Sequence, residues 1–344
     1  MSDVVIAPRS ARDGAPLLDV RDLVVYYPVR RGLTAAIRRE PRKHVSAVDG
    51  VSLSVRHGEM LALIGESGCG KTSTAQAILR MVDATSGTIE VGGRDITHLT
   101  SKELQPIRRT MQMVYQDPYE SLDPRFRVRR AIEEPLLIHG MVGSSAERER
   151  RIVEAMERVE LSPADLFIDR YPHELSGGQR QRVAIAASLV LDPKLLLADE
   201  PVSMLDVSVR AGILTLLDRL RRDGDMGIVM ITHDLSTAAH FADRIAVMYL
   251  GRIVEEGLAR EVVRSPQHPY TKALMSVVPK PDPRDSTVPQ ILQGETPNPI
   301  DVPSGCRFHP RCPVAEDRCK GTDPQLHAAS GTEDQTRRAA CVLV

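Results

Sequence analysis

Eight consecutive residues carry the clearest chemical signal in the chain. Gly65-Glu66-Ser67-Gly68-Cys69-Gly70-Lys71-Thr72 fits the phosphate-loop spacing G-x-x-x-x-G-K-[ST], with Ser73 following into the next element. Glycines there let backbone N–H groups turn inward around an anion. Lys71 supplies a cation to the β and γ oxygens, and the Thr72 hydroxyl can ligate Mg2+. Cys69 sits among groups whose task is backbone contact, so it reads as a small filler rather than a nucleophile. A second signal is Leu195-Leu196-Leu197-Ala198-Asp199-Glu200, an apolar strand ending in two carboxylates. Asp199 would hold the Mg2+ shell and Glu200 would polarise an attacking water. Alone, this could be a strand ended by a solvated acidic pair; beside the Lys71 loop it reads as metal ligand and base. A third is Ser176-Gly177-Gly178-Gln179, ahead of the helical stretch 180–191. A serine cap followed by two glycines leaves a helix N-terminus open to an anion such as a γ-phosphate.

The tail carries different chemistry. Four of the five cysteines, Cys306, Cys312, Cys319 and Cys341, fall in the last 39 residues, separated by five, six and 21 residues. Four thiolates suit zinc or iron–sulfur chemistry. Structural zinc sites usually bring ligands in close pairs, and no gap here is that short, so a four-iron four-sulfur (4Fe-4S) cluster is expected, with Zn2+ as the alternative. Free thiols or two disulfides are the other readings. The tail has too few apolar residues for a core of its own and would profit from such a staple. Its role would be structural or redox-sensing, since nothing in the sequence places it near Lys71.

These groups need a scaffold, and the chain is long enough to supply one. It has 344 residues, 42% hydrophobic and 26% charged, values of an ordinary folded protein with room for two domains. The net charge of -1 lacks the basic excess of nucleic-acid binders, so no nucleic-acid partner is expected. No apolar run reaches the length of a membrane helix, and residues 1–16 do not have the layout of a secretion signal; that segment reads as frayed and cytoplasmic. Apolar runs at Met60–Ile64, Leu195–Ala198 and Ile228–Ile231 alternate with helical spacing at Val209, Ile213, Leu216, Leu217 and Leu220, which predicts a mainly parallel sheet wrapped by helices. A mostly helical stretch interrupts this alternation from about Gln116 to His173, with helical spacing at Ile152, Met156 and Val159. Seven prolines between Pro279 and Pro303 predict an irregular segment that separates the core from the cysteine tail. The basic residues of 30–43 and of Arg125–Arg130 read as solvated faces.

Taken in order, these pieces resemble ABC-type ATPases. Gln116 in Val114-Tyr115-Gln116-Asp117-Pro118 resembles the glutamine loop, Ser176-Gly177-Gly178-Gln179 the signature, Ser203-Met204-Leu205-Asp206 the D-loop, and His233 in Ile231-Thr232-His233-Asp234 the switch histidine. The resemblance covers roughly 17–257. Ala47-Val48-Asp49-Gly50-Val51-Ser52, Asp117-Pro118 through Ser121-Leu122-Asp123-Pro124-Arg125, Tyr171-Pro172-His173-Glu174, Ser265-Pro266-Gln267-His268-Pro269-Tyr270-Thr271 and the segment Gly305–Pro313 look like the oligopeptide/dipeptide importer ATPases, whose branch includes nickel and glutathione importers. Met204 departs from the family's usual small residue.

What the resemblance implies is specific. The fold would be α/β: a P-loop ATPase core over 17–260 with a mainly parallel sheet and a helical subdomain at about 117–180. A flexible 1–16 would precede it, and an irregular cysteine-bearing extension over 261–344 would follow. ATP and Mg2+ would be bound, with Thr72, Gln116 and Asp199 around the metal and Glu200, His233 and Gln116 in catalysis. Tyr27 would be the adenine platform, while Ser176–Gln179 and Asp206 would meet nucleotide in a head-to-tail pair of cassettes. That pair would join two non-identical ATPases and drive two separate permease subunits fed by an extracytoplasmic solute-binding protein. The address would be peripheral, on the cytoplasmic face of the cell membrane. ABC-type ATPases acting on ribosomes or DNA are the rival class. Their paired cassettes in one chain, or long coiled coil, are missing from this sequence.

Overall fold

The computed structural model describes residues 14–29, 43–141, 143–278, 289–328 and 337–344. Alternating apolar side chains form β1 (Leu18–Pro28), which pairs antiparallel with β2 (His44–Val55). The continuous apolar run becomes β3 (Met60–Ile64), buried along its whole length. Next come β4 (Ser86–Val91), β5 (Arg94–Asp95), β6 (Met111–Val114), β7 (Leu195–Asp199), β8 (Gly227–Thr232), β9 (Arg244–Tyr249), β10 (Arg252–Leu258), β11 (His327–Ala328) and β12 (Arg338–Ala339). A small antiparallel sheet runs in the order β2-β1-β4-β5 and a large mixed one in the order β11-β12-β10-β9-β3-β8-β7-β6. The stretch from β9 through β6 is parallel, as the alternation predicts; the remaining three strands are antiparallel additions.

β3 shows why its sequence has no polar face. Met60, Ala62 and Ile64 enter one core with the helices, while Leu61 and Leu63 enter a second core beneath the small sheet. The helical stretch folds as Pro118–Ser121, Val128–Ile138 and Ser145–Arg158, packed on Gly177–Leu189. Ile152, Met156 and Val159 are buried there, as their spacing predicts. Arg125, Arg127, Arg129 and Arg130 each pair with a nearby acid, consistent with a solvated face. Most of the basic segment 30–43, the prolines at 279–283 and residues 1–13 lie outside the described residues.

The expected separation of the tail from the core does not hold. β12 pairs with β10, where Glu255 and Glu256 oppose Ala339 and Arg338, so the chain's end adds strands to the large sheet. Phe308 is buried in the main core, its ring 5.2 Å from that of Tyr249 and 5.4 Å from that of Tyr270. A segment too poor in apolar residues to build a core has joined the existing one.

Candidate functional site

The phosphate loop leaves the C-terminal end of β3 and enters the helix Lys71–Ile78, whose first turn carries no acid to compete with an anion. Two glycines are required by what surrounds them. A Cβ at Gly70, where φ is 109°, would lie 2.1 Å from the Ala47 carbonyl oxygen, and one at Gly65 would lie 2.2 Å from that of Met248. Lys71 is buried, with its ammonium donating to the carbonyls of Gly65 at 2.8 Å and Glu66 at 2.9 Å. Burial pushes the Cys69 thiol up against the pull of Lys71, in keeping with a filler rather than a nucleophile.

Sheet order delivers the remaining groups. β8 lies between β3 and β7, with Ile64 opposite Thr232 and Asp199 opposite Ile231, so the ends of all three strands meet beside the loop. Burial raises the Asp199 carboxyl; a hydrogen bond with the Thr72 side chain and the nearby Lys71 work against that. Glu200 follows at φ 45°, a left-handed conformation uncommon for this residue type and one that marks a strained turn. Gln116, just beyond β6, donates from Nε2 to Glu200 Oε2 at 3.1 Å, and His233 Nδ1 lies 3.2 Å from Glu200 Oε1. Two residues from separate loops, Gln116 and His233, thus converge on the Glu200 carboxylate. Thr72, Asp199 and the Gln116 amide present oxygen donors suited to Mg2+.

At Ser176–Gln179 the Ser176 hydroxyl accepts from the Gln179 N–H at 3.3 Å, and the Gln179 side chain accepts from the Ser176 N–H at 3.0 Å. Gly177 and Gly178 open the helix Gly177–Leu189. Asp206 caps the helix Val207–Gly224 by accepting from the Val209 N–H at 3.0 Å. Met204 is 61% exposed, so its size disturbs no packing inside this chain. Tyr27 lies half-buried against the second core. Its neighbour Tyr26 stacks on His44 and donates to Asp49.

Among the described residues no group of three or more His, Cys, Asp or Glu is arranged to hold a metal ion, so the expected metal centre has no such geometry behind it. A lone zinc would draw its sulfurs to within about 4 Å of one another. The four cysteines are free, and burial first, then Cys341, Cys312 and Cys319, pushes the Cys306 thiol up to about 11. The tail's expected distance from Lys71 does not hold. Arg311, beside Cys312, reaches Glu66 in the phosphate loop, as do Thr296 and Tyr270. Nothing local in the sequence marks these contacts, although Pro269-Tyr270-Thr271 stood out as a motif.

Comparison with known proteins agrees with this geometry. A family model described as "ABC transporter" matches residues 48–203, and one described as "Oligopeptide/dipeptide transporter, C-terminal region" matches 254–319. The oligopeptide transport ATP-binding protein AppF of Bacillus subtilis is 43% identical over 324 residues, 93% of this chain and 96% of AppF. OppF of Salmonella typhimurium is 44% identical, covering 91% of this chain and 93% of its own length. Among solved structures, the dimeric cassette MJ0796 in a post-hydrolysis state with ADP and Pi aligns with a TM-score of 0.60 at 30% identity, over 71% of this chain and 99% of that one. The cassette cbiO1 of Clostridium perfringens aligns with a TM-score of 0.63 at 27% identity, over 73% and 91%.

Proposed function

The chain belongs to the ATP-binding subunits of ABC transporters, in their oligopeptide-transport branch, and from that premise we propose that it hydrolyses ATP to drive import of dipeptides or oligopeptides. The observation that carries the catalytic reading is the convergence of Gln116 and His233 on Glu200, beside Lys71 and Asp199.

ATP would lie with its phosphates in the loop 65–72, its adenine on Tyr27 and Lys71 at the β and γ oxygens. Mg2+ held by Thr72, Asp199 and Gln116 would supply charge neutralisation of the triphosphate. Glu200 accepts the proton of the attacking water; His233 and Gln116 hold its carboxylate in place. Ser176–Gln179 and Asp206 would serve the nucleotide of a second, non-identical cassette, so hydrolysis is shared by two chains. Residues 17–260 form the motor and 261–344 the tail in this reading. The stretch 117–180 meets two permease subunits; its exposed Phe126, Ile138 and Leu166 supply apolar contact area. A solute-binding protein outside the membrane would select the peptide. Among the described residues no helix is long and apolar enough to cross a membrane; in this reading the chain attaches peripherally, at the cytoplasmic face, through the permease subunits.

Proteoliposomes with the full complex should take up labelled oligopeptide only with ATP, and Lys71→Ala in this chain should stop uptake. Uptake that persists without ATP, or specific uptake of nickel in place of peptide, would refute the substrate or the energy source. For the tail we infer a 4Fe-4S cluster on Cys306, Cys312, Cys319 and Cys341. Its support is the clustering of the four cysteines in the tail, close enough for Cys341, Cys312 and Cys319 to act on the Cys306 thiol. Anaerobic purification should give about four irons per chain; one zinc per chain, or no metal, removes the cluster.

A further inference from the structure

Glu66 holds the second place in the phosphate loop, yet its side chain turns toward the tail. Arg311 grips it with two prongs, Nη1 donating to Oε2 at 2.8 Å and Nη2 to Oε1 at 3.2 Å. The Thr296 hydroxyl donates to Oε2 at 2.7 Å, and the Tyr270 hydroxyl accepts from the Glu66 backbone N–H at 2.9 Å. Three tail segments thus meet on one loop residue. The Arg311 side chain is 9% exposed and that of Glu66 27%, so removing either partner leaves a charge poorly compensated by water. Arg311 is itself well placed: Arg307, in the same turn, donates to the Leu250 carbonyl at 2.6 Å and pairs with Asp49.

Glu66 stays ionised. Burial alone would raise its carboxyl, but Arg311 and Thr296 outweigh that and hold it below the ordinary value, with Lys71 adding to the effect. A carboxylate within a loop that cradles triphosphate repels the ligand and competes for Lys71 unless another cation balances it.

We propose that Arg311 is a positioning residue for nucleotide binding: from the tail it neutralises Glu66 and fixes the loop so that the backbone N–H groups and Lys71 face the phosphates. Arg311 acts through Glu66 and does not touch the nucleotide, which makes the tail part of the ATP site. The inference rests on reading 65–72 as the ATP loop, which Lys71→Ala tests separately in the same assay.

The decisive experiment is a cycle of Mg–ATP affinities on the full chain: parent, Arg311→Met, Glu66→Gln and the double variant. Arg311→Met should weaken binding about tenfold or more in the parent, and less than about threefold in the Glu66→Gln background. In the assembled complex KM should rise with kcat nearly unchanged. A residue that merely holds the fold together would lose the same factor in both backgrounds; that result, or parent affinity in Arg311→Met, overturns the proposal. Should Arg311→Met fail to fold, Arg311→Lys keeps the charge and loses the fork. It should cost about threefold, a loss cancelled in the Glu66→Gln background; no loss, or no cancellation, overturns the proposal equally. If Lys71→Ala bound ATP like the parent, the loop reading would fall, independently of the cycle.

Discussion

The Lys71 loop and the Ser176 helix are both candidate phosphate sites, yet the chain holds them in opposite ways. Around Lys71 the contacts are long-range: Gly65 and Gly70 are crowded by the Met248 and Ala47 carbonyls, and Glu66 is gripped by Arg311 from 245 residues away. At Ser176 the contacts are local, a reciprocal pair of hydrogen bonds spanning three residues. A Cβ at Gly177 would meet only a Leu205 methyl at 3.4 Å. The first site needs the whole chain in order to form. The second is held mainly by its own turn, with Gly178 backed by a Val209 methyl that an added Cβ would meet at 2.4 Å, and its exposed Ser176 end faces outward, as a surface meant for another molecule's ligand would.

This contrast predicts where substitutions are felt. The largest effect belongs to the loop end: Glu200→Gln should lower turnover by about 100- to 10,000-fold while Mg–ATP still binds. Parent-rate hydrolysis by Glu200→Gln complexes would move the base elsewhere. Next, Gly70→Ala combines a φ of 109° with a 2.1 Å clash against backbone, so it should cost about 3 kcal/mol of stability in thermal or urea unfolding and abolish tight ATP binding. A Gly70→Ala chain of parent stability would show the loop to be more pliant than its packing suggests. The smallest effect falls on the signature end, where Ser176→Ala removes one cap and should cost about 1 kcal/mol, with ATP affinity of the isolated chain intact. Weaker ATP binding there would break the division between a long-range and a local site.

Sequence made the two ends legible to different degrees. The loop, the Asp199-Glu200 pair and the buried strand β3 could be read because each is a short local pattern imposed by backbone geometry or by two-sided burial. Sheet order then did what sequence could not, setting His233 between the loop and Glu200. The tail was misplaced for the same reason. Arg311, Thr296 and Phe308 have no periodic signature, and β12 is only two residues long, so nothing local announces that this segment adds to the main sheet and touches the loop. Glu255 and Glu256 are buried in β10. Glu256 is met by Arg338, and Glu255 accepts from the backbone N–H groups of Gln267 and His268.

The claim that this chain offers half of a nucleotide site and borrows the other half is tested most directly by Gly177→Asp. An aspartate in the first turn of the helix Gly177–Leu189, which has no acid there, favours the helix by about 0.3–1 kcal/mol, so the chain stays folded. The same negative charge repels a γ-phosphate brought by the partner. The isolated chain should therefore bind Mg–ATP with parent affinity, while ATP turnover by the assembled pair falls by about tenfold or more. Undiminished turnover in the pair, or lost binding in the isolated chain, would contradict the account.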